Sequence, residues 1–340
     1  MKCSAISSRQ LGNTPVSEIG FGAAPLGNLY HAISNDQAAA TVESAWAAGI
    51  RLFDTAPHYG QGLSERRLGD ALREKPRDDY LLSTKVGRLL VPAGHADERH
   101  GFRSPMPFDF CYDYSYDGIM RSYEDSLQRL GLDRIDILLV HDSGTGPHGA
   151  DNTAHFKTLL DSGYRALHQL RDSGQVKAIG LGVNEYQICE QALHYGDYDC
   201  FLLAGRYTLL EQESLQHFLP LCLQRGTSLL IGGAYNSGIL ATGTRTEQVA
   251  HYNYAPAPPD ILARVARIEA VCDNYGVTLA AAALQFPLAH PAVSSVIPGL
   301  NAPAQVQRTV VLLSEVIPVE FWEALMAQGL LHTDAPIHHS

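Results

Sequence analysis

The sequence has no Cys-x-x-Cys and no paired cysteine spacing, although Cys3, Cys111, Cys189, Cys200, Cys222 and Cys272 are all present. That argues against a disulfide scaffold and a cysteine zinc site, and it fits buried free thiols in a reducing compartment. The first residues, "MKCSAISSRQLG", have no apolar core, so no secretory signal is expected. Long hydrophobic runs are also missing. The longest, "TLAAAALQFPLAHP", is short and broken by Gln285 and Pro287, so no membrane span is expected. Basic clusters are absent: 36 acids against 25 bases give a formal charge of −11. Nucleic acid and anionic membrane are therefore not expected as partners. None of the 15 histidines falls in His-x-x-x-His or pairs with cysteine at a zinc spacing, so no metal is expected. Linkers, repeats and low-complexity segments are lacking. The reading is one cytoplasmic domain over residues 1–330, with a tail over 331–340. Nothing fixes an oligomeric state.

What is present is a globular composition, 45% hydrophobic and 18% charged. Eight strand-like runs stand out: "SEIGFGAAPL", "RLFDTA", "YLLSTKV", "IDILLVHD", "AIGLGV", "CFLLAGR", "SLLIGGAY" and "SSVIPGL". Helical patterns separate them, over residues 36–48, 64–74, 117–130, 164–173, 186–195, 213–225 and 260–275, the last running on toward residue 289. Asn35, Ser64 and Pro259 sit where helices would begin, and Gly49, Gly131, Gly174, Gly196, Gly226 and Gly276 where they would end. The alternation is the βαβ signal. Eight units predict an α/β fold, a (β/α)8 TIM barrel, with an open doubly wound sheet as the alternative. "SSRQLGNTPVSE" is expected to form a hairpin at the barrel bottom. Residues 88–116 and 243–258 form long connections of the kind that become lids or binding loops.

In a barrel, chemistry gathers at the carboxyl ends of the strands. Those ends carry Asp54, Lys85 and His141, and Tyr59 follows in the loop after Asp54. Each has an ordinary structural reading, as ion pair, core histidine or loop packing. Together they make a mechanism. A phenol titrates near pH 10, too high for ready exchange at neutral pH. A neighbouring ammonium lowers that value, and Asp54 would hold Lys85 charged. Tyr59 then serves as acid or base toward a carbonyl or hydroxyl, with His141 orienting the oxygen. This machinery suits hydride transfer involving a nicotinamide. A barrel metallohydrolase would need further histidine ligands at strand ends, and none is seen.

By "FDTAPHYG", "STK", "IDILLVHD" and "GLGVNE", in that order, the chain resembles the aldo-keto reductases. The resemblance implies a catalytic tetrad of Asp54, Tyr59, Lys85 and His141. It also implies a barrel that binds an extended nicotinamide dinucleotide at its carboxyl rim without a Rossmann domain. The one literal G-x-G-x-x-G, Gly144–Gly149, does not follow its strand directly and contains Pro147, so it is discounted. Asn184 carries over as a carboxamide ligand. Where the family has a glutamine on strand six this chain has Ala204, and where a stacking aromatic is usual it has Gly232, with Tyr235 nearby. The turn with Gly232, Gly233, Asn236, Ser237 and Gly238 would offer backbone amides to phosphates. Pro298, Gly299 and Gln305 would meet the adenosine end. Because Gly299 and Gln305 replace cations that grip a 2′-phosphate, NAD is expected over NADP.

Those departures, with "CFLLAGRYTLLEQ" and "GGAYNSGILATG", look like the D-threo-aldose 1-dehydrogenase branch, the L-fucose and galactose dehydrogenase type. That implies oxidation of a cyclic aldose at C1 to its lactone. Pyridoxal 4-dehydrogenase is similar and is the alternative, since hemiacetal to lactone is the same chemistry. A non-catalytic nicotinamide-nucleotide-sensing subunit is a third reading. His58, Tyr30 and His31 are candidate substrate contacts, and Phe102, Phe108, Phe110, Tyr112, Tyr114 and Tyr116 could furnish aromatic faces.

Overall fold

The computed structural model describes residues 6–246 and 249–338. Cys3 and the end of the expected tail lie outside the described residues. The barrel strands are, in order, Phe21–Gly22, Leu52–Asp54, Leu81–Val86, Ile137–His141, Ala178–Val183, Cys200–Ala204, Ser228–Gly232 and Val293–Ile297. Each pairs in parallel with the next. Gly20 N–H donates to Val296 O and Gly22 N–H to Pro298 O, both at 2.9 Å, which joins the first strand to the eighth. The closed barrel matches the expectation, and the open sheet does not.

Strand side chains alternate between two cores. Leu52, Leu81, Ile137, Leu139, Leu202, Leu230 and Ile297 pack inside the barrel. Phe53, Leu82, Leu138, Ile179, Phe201 and Leu229 face the helices. Burial on both faces explains the near-continuous apolar runs. The hairpin forms as expected from Ser8–Leu11 and Thr14–Ser17. Its Leu11 and Val16 enter the interior cluster. Ser294 Oγ donates to Gln10 O at 2.5 Å, at the start of strand eight. The hairpin thus plugs the amino-terminal end, and the carboxyl end is left for the site.

The first helix begins at Asn35 as expected, capped by Ser34, whose Oγ accepts from Gln37 N. Gly62, not Ser64, precedes the second. Ser64 lies inside that helix, where its hydroxyl donates to Ala23 O (2.7 Å) and meets Thr55 Oγ1 (2.8 Å). Gly196 does end a helix, but in an extended conformation. The expected helix over 213–225 breaks into a single turn at Glu213–Leu215 and a helix at Phe218–Arg225. Pro220, whose missing N–H is tolerated only in a first turn, fixes where the second part starts. Two further helices, Pro303–Leu313 and Val319–Ala327, complete the wall. Residues 331–338 pack back on the barrel, with Leu331 and Ala335 buried. Cys111 is exposed, against the expectation of buried thiols, whereas Cys189, Cys200, Cys222 and Cys272 are buried. Among the described residues no helix is long and apolar enough to cross a membrane.

Candidate active site

Asp54 is the last residue of strand two, and its carboxylate points into the barrel mouth. Ser83 Oγ donates to Oδ1 and Lys85 Nζ to Oδ2, both at 2.8 Å. Lys85 Nζ also donates to Thr55 O at 2.9 Å. The lysine is only 1% exposed. Its stem needs space inside the barrel, and Gly182 on strand five leaves it: a Cβ there would sit 3.1 Å from Lys85 Cε. The loop carrying Tyr59 rests on the turn Ala24–Gly27 through two glycines. A Cβ at Gly27 would lie 2.5 Å from the Tyr59 carbonyl carbon, and one at Gly60 2.4 Å from Gly27 O. Tyr59 is thereby seated over the ammonium, with Lys85 Nζ 4.7 Å from its ring centroid. His141 meets the same phenol edge to face, centroids 5.9 Å apart. Tyr114 braces that strand end by donating its hydroxyl hydrogen to His141 O at 2.8 Å. The four residues expected together are together.

Burial alone would lower the Lys85 amine, but Asp54 and Tyr59 outweigh it and hold it above its ordinary value. The amine stays an ammonium. Burial pushes the Tyr59 phenol up to about 12; Lys85 pulls it down and Asp54 pushes it up further. The pull expected of the ammonium is present, but desolvation is larger. His141 is held well below its ordinary value by burial first, then by Arg88 and Lys85. It is a neutral imidazole.

A groove of about 590 Å³ runs from Asp54 and Tyr59 across the ends of strands six and seven to the helix Pro303–Leu313. Of the expected cofactor contacts, Gly232, Gly233, Ser237, Gly238, Pro298, Gly299 and Gln305 line it, and so does Tyr30. Asn184 stands just behind the lining. Its Nδ2 donates to Ala204 O and to the Tyr254 hydroxyl, both at 3.3 Å. Asn236 is a different case. It is buried, accepts from Thr208 Oγ1 at 2.6 Å and donates to Gly205 O at 3.3 Å, so its side chain holds the turn together and does not face the groove. The N–H groups of Asn236 and Gly238 are likewise spent on Gly233 O and Tyr235 O. His31 is exposed and outside the lining. His58 packs among His100, Phe102, Phe110 and His141. Burial first, then Arg88, pushes its imidazole down to about 2. Phe102 and Phe110 reach the site, whereas the Tyr116 hydroxyl turns away to Gln169.

Sequence reasoning passed over three residues, Gly182, Arg88 and Tyr254. Gly182 was visible only as part of "GLGV". Arg88 lies three residues beyond Lys85. Tyr254 stands on the groove rim at the tip of a hairpin in the second long connection. Arg308 lines the groove and has no ion-pair partner among the described residues. The groove fits an extended dinucleotide. At strands six and seven Leu202, Ala204 and Gly232 line its floor; a Cβ on Gly232 would press on Leu202 at 3.2 Å and Ala204 at 3.4 Å. In the discounted glycine motif Glu185 accepts from Thr145 N (3.0 Å) and Gly146 N (2.6 Å), so a carboxylate already holds two of its amides.

Residues 18–328 match the Aldo/keto reductase family. The chain belongs to the aldo/keto reductase family. It is an oxidoreductase acting on CH–OH groups, and the reading as a non-catalytic subunit falls away. It is 47% identical to pyridoxal 4-dehydrogenase of Microbacterium luteolum, over 97% of this chain and 100% of the relative. It is 41% identical to D-threo-aldose 1-dehydrogenase of a Pseudomonas species, over 94% and 95%. An aldo-keto reductase from Bacillus halodurans in its holo form shares the fold, with a TM-score of 0.74 at 24% identity, over 98% of this chain and 99% of that one. Aldo-keto reductases use nicotinamide cofactors, and a structural neighbour from Klebsiella pneumoniae (TM-score 0.67, 20% identity, 98% and 100% covered) is described in complex with NADP and acetate.

Proposed function

We propose that this aldo-keto reductase oxidises a cyclic hemiacetal to its lactone, with NAD as acceptor and the hemiacetal of pyridoxal as substrate. The observation that carries the chemistry is the buried Asp54–Lys85 pair directly beneath Tyr59 at the groove mouth. Tyr59 Oη takes the proton of the hemiacetal hydroxyl as the carbonyl forms. Lys85 holds the phenolate that makes this possible, and Asp54 with Ser83 holds Lys85 in place. Neutral His141 donates a hydrogen bond to the reacting oxygen. A bound oxidised nicotinamide would supply the hydride acceptor and a positive charge that favours the phenolate.

Pyridoxal is favoured over an aldose by the relative at 47% identity and by the flat aromatic surfaces of Phe102 and Phe110 beside His58. Oxidation of an aldose such as L-fucose at C1 is the second reading, favoured by the relative at 41%. NAD is favoured over NADP because Gly299 and Gln305 carry no charge and leave Arg308 as the one cation lining that end. The free thiols suit a cytoplasmic setting. The test is nucleotide reduction followed by absorbance with pyridoxal, L-fucose, D-arabinose and L-galactose, each with NAD and NADP. The highest kcat/KM is expected with pyridoxal and NAD. A sugar exceeding pyridoxal would replace the first reading with the second, and reduction of simple aldehydes only would end both.

A further inference from the structure

Strand seven ends at Gly232 and brings no ring to the reactive end of the groove. Tyr235 does not replace it: that side chain packs against the core, and its phenol feels the charge of Arg308 at the far end. The ring that does reach the reactive end belongs to Tyr254, which lines the groove together with Asp54 and Tyr59. Tyr254 sits at the tip of the hairpin formed by His251–Tyr252 and Ala255–Pro256, and hydrogen bonds stretch that tip over the barrel mouth. Its N–H donates to Ser237 Oγ at 2.9 Å, beyond strand seven. Arg206 Nη1, beyond strand six, donates to Asn253 Oδ1 at 3.0 Å. Asn184 Nδ2, beyond strand five, donates to the Tyr254 hydroxyl at 3.3 Å. The side chain therefore spans the end of strand six. In the eight-stranded barrel that strand lies across the mouth from strand two, which leads to Tyr59.

Two facts about Tyr254 are not explained by folding. Asn253 and Tyr254 have φ of +48° and +64°, the pair of positive angles that a two-residue hairpin turn of type I′ needs. Glycine fits the second of these places, and a bulky aromatic there is an outlier. The ring also packs on little: it is 64% exposed and makes no ring contact among the described residues. Strain of this kind, kept at the rim of a groove, points to a use for the side chain. We propose that Tyr254 is the nicotinamide-stacking residue of this chain, its ring covering the face turned away from Tyr59. This rests on the nucleotide reading above. A planar ring between the two tyrosines presents one face to each, so the face toward Tyr59 stays open for hydride transfer and the other is shielded from water. Asn184 spends Nδ2 on Ala204 O and on the Tyr254 hydroxyl, which leaves Oδ1 to accept from the carboxamide N–H. Leu202, Ala204 and Gly232 on the floor supply no aromatic surface of their own.

The experiment is titration calorimetry of the whole chain with NAD and with ADP-ribose, which has every part of NAD but the nicotinamide. The proteins are wild type, Tyr254→Gly and Tyr254→Phe. Tyr254→Gly puts after Asn253 the residue that a type I′ turn favours, so the turn itself is relieved of strain. This variant is expected to bind NAD at least tenfold more weakly than wild type and ADP-ribose within threefold. Tyr254→Phe keeps the ring and is expected to hold both ligands within threefold. NAD binding by Tyr254→Gly that is unchanged or tighter, an equal loss of both ligands, or a loss in Tyr254→Phe as large as in Tyr254→Gly would overturn the proposal. If wild type takes NADP in place of NAD, the comparison is made with NADP and 2′-phospho-ADP-ribose. Wild type that binds neither nucleotide would remove the nucleotide reading and the stacking with it, whereas binding by wild type that Tyr254→Gly leaves unchanged would remove only the stacking.

Discussion

Replacing Lys85 by Met keeps most of the stem that Gly182 accommodates and removes one charge. The ammonium lies 4.7 Å from the Tyr59 ring centroid. At that separation and an effective dielectric of about 20, one unit charge is worth about 3.5 kcal/mol to a phenolate. That is about 2.6 pKa units, on the order of 400-fold in the fraction of phenolate at a fixed pH. The sign follows from the direction of reaction. Oxidation needs Tyr59 deprotonated, and burial has already pushed the phenol up to about 12 in the free protein. Below that value the phenolate fraction rises tenfold per pH unit, so the oxidation rate climbs with pH. Removing Lys85 displaces the climb toward alkali. Reduction needs the neutral phenol and stays flat over the same range. The assay is kcat for hemiacetal oxidation from pH 6 to 10, with NAD affinity measured by fluorescence quenching to confirm a folded groove. Asp54 loses its counter-charge in this variant, and burial drives it to take up a proton. A second protein, Lys85→Met with Asp54→Asn, removes that complication and is expected to recover nothing. If Lys85→Met keeps more than a tenth of wild-type kcat at pH 8, the phenol is not activated by this ammonium and the mechanism fails.

Gly182→Val puts branched carbons where Lys85 Cε runs, 3.1 Å from the new Cβ, and should lower kcat at least tenfold while NAD affinity stays within threefold; an unchanged kcat would show that the space is not needed. Gln305→Arg adds a cation beside Arg308 and should raise kcat/KM with NADP relative to NAD by about tenfold, in line with a charge-assisted bond to phosphate of about 1.5–3 kcal/mol; no change would place the 2′ end elsewhere. Leu11→Ala removes a 3%-exposed side chain from the plugged end, far from the chemistry. It should cost about 2–5 kcal/mol in urea unfolding, with kcat preserved.

The strand-end residues were legible because charge at the end of a buried strand is costly unless it is paired or used. Asp54, Lys85 and His141 each break an apolar run, and the barrel places such ends around one mouth. The dinucleotide groove was legible in part, since Gly232, Gly299 and Gln305 carry little side-chain bulk or charge where either would matter. Residues whose partners lie far along the chain were not legible. Ser64 reads as a cap, yet its hydroxyl belongs to Ala23, 41 positions away. The Asn236 side chain reads as free in a turn, yet Thr208, 28 positions away, bonds it. Arg88 reads as a loop residue until Asp142, 54 positions on, is beside it. The phenol was misjudged for a related reason. Its titration is a contest between desolvation and a nearby charge, and only the charge can be guessed from residue types.

The pairing of Asp54 with Lys85 depends on register, which no single strand carries. Asp54 stands opposite Ser83, not opposite Lys85. Ser83 and Lys85 are two apart on one strand and so point to the same, inward face. The serine takes the near carboxylate oxygen and the lysine takes the other, reaching both it and Thr55 O at hydrogen-bond distance. A slip of one residue between these strands would turn Lys85 outward among the helices and leave Asp54 buried alone. The register is held by strand neighbours on both sides: Leu139 stands opposite Lys85, and His141 opposite Gly182. The same alignment that seats Leu139 in the barrel interior therefore brings the imidazole level with the glycine that makes room for the ammonium. Packing of the apolar strand residues and assembly of the reactive phenol's surroundings are one constraint, so a core substitution that shifts this register should abolish oxidation before it unfolds the chain.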